Sequence, residues 1–134
     1  AFNDIDWYGS TQFTDAWYSS VDTWNAKGNV VIATDTIFTI TDLTVSDIDR
    51  SDSPYVAHWE SGFPDGSIEL NSYYMSRPEY QGAPNQHVVT HELGHALGLG
   101  HSYEGNIMYY AAGPDTTQTT LGSQDDSDYA YWYP

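Results

Sequence analysis

The chain has 134 residues, with 3 Lys+Arg against 19 Asp+Glu, a formal charge of −16 and no cysteine. That balance argues against nucleic acid and anionic membrane surfaces as partners. The missing cysteines exclude a disulfide framework and any thiolate metal ligand. Hydrophobic residues make up 40% and aromatics 16%, enough to bury a core, so one domain over residues 1–134 is expected. No run of 18 apolar residues reads as a membrane span. The chain opens Ala1-Phe2-Asn3-Asp4 without an initiator Met, which reads as a mature, secreted form acting outside the cell as a monomer.

In chain order, residues 1–9 read as a polar-aromatic surface arm. Ser10 or Thr11 is placed to cap a helix in which Phe13, Trp17, Val21 and Trp24 form an apolar stripe, stopped by Gly28. Strand chemistry follows in Val30–Ile32, Thr36–Ile40, Leu43–Val45 and Tyr55–Glu60. Between the last two lies an acidic, turn-rich loop, residues 46–54. Its Asp47, Asp49 and Asp52 are considered for Ca²⁺, but the spacing matches no defined calcium loop and a solvated loop is favoured. Ser67–Asn71 reads as a further strand, and residues 72–84, broken by Pro78, Gly82 and Pro84, as irregular. Asn85 is the expected N-cap of a helix Gln86–Leu97, with His87 exposed near its start. A tight turn at Glu104–Tyr110 and a loop over 111–122 lead to a short last helix. Ser123 is its expected cap, Asp126 the reciprocal partner, and Tyr129 and Trp132 its anchors. A helix, then strands, then further helices give an α+β layering.

The stretch with most chemical content is His91-Glu92-Leu93-Gly94-His95-Ala96-Leu97-Gly98-Leu99-Gly100-His101. On a helix, His91 and His95 share one face and can meet one metal ion. Gly98 can leave the helix with positive φ, which lets His101 arrive as a third ligand. Three neutral nitrogens with an open fourth position suit a catalytic Zn²⁺, and Glu92 stands where a base for the metal-activated water is needed.

This pattern resembles the metzincin metallopeptidases. Met108, in Asn106-Ile107-Met108-Tyr109, is similar to the Met-turn of that family, and the resemblance implies an apolar floor under the histidines. The variable positions of the motif, Ser123-Gln124-Asp125-Asp126 and Val56-Ala57-His58-Trp59 resemble the matrixin branch. The resemblance implies a twisted, mostly parallel sheet with an antiparallel edge strand, a backing helix, an active-site helix and a C-terminal helix. It also implies a zinc endopeptidase whose protein or peptide substrate pairs with the edge strand at Val56, Ala57, His58 and Trp59, with Tyr109 beside the specificity pocket. Two departures stand out. Only His58 remains of the ligands for a second, structural zinc, so a core or cross-strand role is favoured for it. Tyr110 replaces the usual Pro, which leaves it either an astacin- or serralysin-like ligand or oxyanion donor, or a pocket wall. The rival readings are a zinc hydrolase of a non-peptide amide and a catalytically silent, zinc-stabilised binding module.

Overall fold

The computed structural model describes residues 4–134. Its sheet has the order β2-β1-β3-β5-β4. The strands are β1 (Asp4–Gly9), β2 (Val31–Thr34), β3 (Leu43–Ile48), β4 (Ala57–Glu60) and β5 (Gly66–Asn71). All pairings are parallel except β4 on β5, which is antiparallel and leaves β4 at the sheet edge. The helices are α1 (Thr14–Asn25), α2 (Ser72–Met75), α3 (Ala83–Ala96) and α4 (Ser123–Trp132), with a 3-10 turn at Pro78–Tyr80. This is the mostly parallel sheet with an antiparallel edge that the resemblance implies.

Several expectations are corrected. The surface arm is, from Asp4 onward, a strand lying between β2 and β3, while residues 1–3 of that arm fall outside the described residues. Alternation explains it: Ile5 and Trp7 face the core while Asp4 and Asp6 take the other side. The segment Thr36–Ile40 has β-rich composition but pairs with nothing among the described residues. Hydroxyls of Thr39 and Thr41 donate to the Asp35 carboxylate at 2.6 and 2.8 Å and hold it as a loop, and Ile37 and Phe38 lie in the open. β3 runs on to Ile48, so Asp47 belongs to a strand. Its carboxylate accepts from Thr11 Oγ1 at 2.6 Å and Gln12 N–H at 2.8 Å. Asp52 is taken by Arg50 at 2.9 Å, so Asp47, Asp49 and Asp52 form no cation cage. Thr11 accepts from Phe13 N–H ahead of α1 rather than capping it.

α1 and α3 pack against each other, α1 over β2 and α3 over β4 and β5. Their close approach buries polar groups, some of which pair across it. Ser20 Oγ lies 2.8 Å from Thr90 Oγ1, and Trp24 Nε1 donates to the Thr90 carbonyl at 2.9 Å. Trp17, Trp24, Leu43, Ile68, Leu70, Leu93 and Met108 are all but fully buried in one cluster. At roughly 1.5–3 kcal/mol for each large side chain removed from water, this cluster is the main favourable term of the fold. Tyr129 joins α4 to it, its hydroxyl accepting from the N–H groups of Asn29 and Val30. Trp132 is half exposed. The second anchor is Tyr133, which donates to the Leu97 carbonyl at 2.7 Å.

Gly9 ends β1 at φ +127°, and a Cβ there would run into the Val45 carbonyl, whereas Gly28, at φ +97°, has nothing within 4 Å. Gly28→Ala should therefore cost only the backbone strain, about 1–2 kcal/mol. Gly9→Ala carries the same strain plus the clash. Urea unfolding should show a clearly larger loss for Gly9→Ala, and equal losses would mean that the contact with Val45 relaxes freely.

Candidate metal centre

Helix α3 starts earlier than the Asn85 cap predicts. Gly82 takes φ +80° as N-cap, with Ala83 and Pro84 in the first turn. Asn85 is buried inside that turn, donating to the Met75 carbonyl at 3.0 Å. The helix ends in a two-bond turn: Gly98 N–H donates to the His95 carbonyl and Leu99 N–H to the Gly94 carbonyl, both at 2.9 Å. Gly98 sits at φ +101°, the left-handed residue such a turn requires. The turn sends the chain back toward the helix face, so that His101 meets His91 and His95.

One ring nitrogen from each of His91, His95 and His101 lies within 4.8 Å of the other two. Nδ1 of His91 donates to the Ile107 carbonyl at 2.7 Å, and Nδ1 of His95 to the Leu99 carbonyl at 2.8 Å. Those bonds place the protons on Nδ1 and leave lone pairs on Nε2. The two Nε2 atoms face each other across 3.1 Å. Two lone pairs at that distance repel, and a cation between them turns the repulsion into ligation. Three neutral imidazoles fit Zn²⁺ with an open position.

Burial pushes the His91 imidazole down to about 4, and hydrogen bonding to Ile107 only partly opposes this. Burial also lowers His95. Both rings are therefore held in the unprotonated form that binds metal. Glu92 is buried beside them. Burial raises its carboxyl to about 7, while the backbone of Trp59, through a hydrogen bond, pulls it back down.

The support beneath comes from the Met108 turn and the start of α4. Met108 is fully buried, as expected of a floor, and its sulfur lies where a side chain at Gly94 would have to go. The Asp125 carboxylate, also fully buried, accepts from Ile107 N–H at 2.7 Å, Met108 N–H at 3.1 Å and Gly122 N–H at 2.8 Å. Asp125, not Asp126, is thus the reciprocal partner at the start of α4, and Asp126 binds Lys27. Ser123 is not the cap. Asn106 Oδ1 caps α4 from outside, accepting from Gln124 and Asp125 N–H at 2.9 and 3.2 Å. The Ser-Gln-Asp-Asp run marked the helix start, but nothing local showed that its acid reaches the Met108 turn. His87 is buried rather than exposed, and its Nδ1 bonds the Gln118 carbonyl at 2.7 Å.

The centre opens into a cavity of about 490 Å³ whose lining includes Tyr55, Val56, Ala57, His58, Trp59, Glu92 and Tyr110 together with the three histidines. Four of the five residues expected to meet substrate are there. Tyr109 is not in that lining, although its ring lies 5.0 Å from that of Tyr110. His58 stacks on Tyr55 at 5.1 Å and faces Glu69 across the β4–β5 pair.

A three-imidazole centre on a helix beneath the antiparallel edge of a mostly parallel sheet defines a zincin-type metallopeptidase fold. The chain belongs to the matrixin family, whose model matches residues 8–133, and matrixins are zinc metallopeptidases. No curated protein matches the chain.

The two buried groups make opposite demands on pH. His91 is lowered when folded, so its contribution to stability is full above its ordinary value of 6.5 and fades as pH falls toward 4. Glu92 is raised, so its contribution is full below its ordinary 4.5 and is lost as pH rises through 7. In metal-free protein, Glu92→Gln should leave the melting temperature unchanged at pH 4 and raise it by several degrees at pH 8. A pH-independent difference would show that the Glu92 carboxyl is not desolvated.

Proposed function

We propose that residues 1–134 form one catalytic domain of a secreted zinc endopeptidase that hydrolyses peptide bonds with Glu92 as general base. The observation that carries this reading is the meeting, in one cavity, of three metal-competent imidazoles, a buried carboxyl and the free edge of β4. His91, His95 and His101 would hold Zn²⁺, whose Lewis acidity acidifies a water and polarises a carbonyl.

The chain's own residues supply the rest. An extended peptide adds to β4 as an antiparallel strand, bonding the backbone along Val56–Trp59 while alternate side chains enter the cavity. That pairing sets the scissile carbonyl over the histidines. The Glu92 carboxylate takes a proton from the attacking water and returns it to the leaving nitrogen. A carboxyl raised toward neutral by burial suits both halves of that exchange. Tyr110 lines the cavity with its ring largely exposed. In this reading its hydroxyl donates to the carbonyl oxygen as negative charge develops there. No helix among the described residues is long and apolar enough to cross a membrane.

Glu92→Ala should keep its zinc by elemental analysis and lose casein cleavage by several orders of magnitude, and wild-type activity in that variant would remove Glu92 from the mechanism. Chelation should abolish cleavage and added zinc restore it. His101→Ala should copurify with much less zinc. Tyr110→Phe should lower kcat about tenfold or more with little change in KM. A change in KM alone would assign Tyr110 to the pocket wall.

A further inference from the structure

A second cavity, of about 410 Å³, opens between the starts of α1 and α3 and shares no lining residue with the one over the histidines. Its size is that of a small-molecule pocket. Thr14, Asp15 and Ala16 of α1 line it, with Ala83 and Asn85 of α3. Neither helix has a side-chain cap. The N–H groups that open both helices have no acceptor inside the helix, so they remain as donors beside the cavity.

Helix ends alone would mean little, but the same lining holds an unanswered acceptor. Asn85 is only 4% exposed. Its Nδ2 donates to the Met75 carbonyl at 3.0 Å, which fixes the orientation of the amide, because a carbonyl can only accept. Its Oδ1 is left buried with no hydrogen-bond partner among the described residues. An acceptor in that condition calls for a donor. Two further amides in the lining are unspent. Gln12 is bound only through its backbone N–H, to Asp47, and Gln86 only through backbone atoms.

The occupant must therefore accept from N–H groups and also donate to Oδ1. No Lys or Arg lines the cavity and Asp15 does, which disfavours an anion. The free N–H donors disfavour a cation. The other polar side chains are neutral amides and hydroxyls, among them Ser19 and Thr119, and Phe13 is the one aromatic surface. Sugar hydroxyls donate and accept at once, and the C–H face of a sugar ring packs on an aromatic. We propose that this cavity binds a neutral saccharide unit, a hydroxyl donating to Asn85 Oδ1 while Gln12, Gln86 and the helix N–H groups bond its other oxygens. The site is independent of the zinc centre, and its test needs no enzymatic activity.

Zinc-loaded protein is titrated with glucose, galactose and N-acetylglucosamine, and with a disaccharide of each, while amide resonances are followed by NMR. At least one sugar should give saturable shifts at Thr14, Asp15, Ala16, Ala83 and Asn85 and none at His91 or His95. Sodium phosphate, and N-methylacetamide as a stand-in for a peptide group, should shift none of them. Replacing both free amides, Gln12→Ala with Gln86→Ala, should weaken the sugar at least several-fold at an unchanged melting temperature, and Asn85→Ala should abolish its binding. Tighter binding of the same sugar linked to asparagine identifies a protein-linked glycan as the ligand, and equal affinity a free saccharide. The proposal is overturned by the absence of saturable shifts with every sugar, which leaves the cavity to water. Saturation by phosphate or N-methylacetamide alone, or full affinity in the double glutamine variant, overturns it equally.

Discussion

One peptide group, that joining Ile107 to Met108, links the parts of the metal centre. Its carbonyl accepts from His91 Nδ1, and its N–H donates to the buried Asp125 carboxylate. A charged acceptor at one end strengthens the acceptor at the other, because hydrogen bonds in series polarise one another in a low-dielectric interior. The imidazole is thereby fixed in one tautomer and one orientation by a carboxylate it does not touch. The same carboxylate begins α4, and Asn106 from the Met108 turn caps that helix in return. Turn and helix therefore hold each other, and the metal face is the surface they present to α3.

The charge distribution follows a consistent logic. A chain with this much negative charge keeps most of it in water, where screening makes it cheap. The acids that are buried are the informative ones. Asp125 is compensated by three backbone N–H donors. Glu92 is compensated far less and is raised to about 7, the condition expected of a group that must exchange a proton.

The residues state some of this openly and hide the rest. The three histidines, Glu92, the Gly98 turn and Met108 stand at diagnostic spacings, so both their presence and their convergence could be read in advance. The amphipathic stripe of α1 was equally plain. What could not be read depends on contacts distant along the chain. β1 looked like a polar arm because its aspartates mask the Ile5–Trp7 alternation. Thr36–Ile40 has strand composition, but composition cannot supply a neighbour to pair with. Asp125 and Asp126 are indistinguishable by type. Only the packing of α4 against the Met108 turn decides which is buried with three donors and which is left outside for Lys27.

The path from His91 to Asp125 also orders events in time. Ile107 comes 16 residues after His91, and Asp125 a further 18 after Ile107. During synthesis the helix bearing two of the imidazoles emerges well before the carboxylate that sets the orientation of the first. Until that last segment docks, the peptide group that orients the His91 ring lacks its charged acceptor. The orientation of a ring on α3 is thus completed only once α4 is in place.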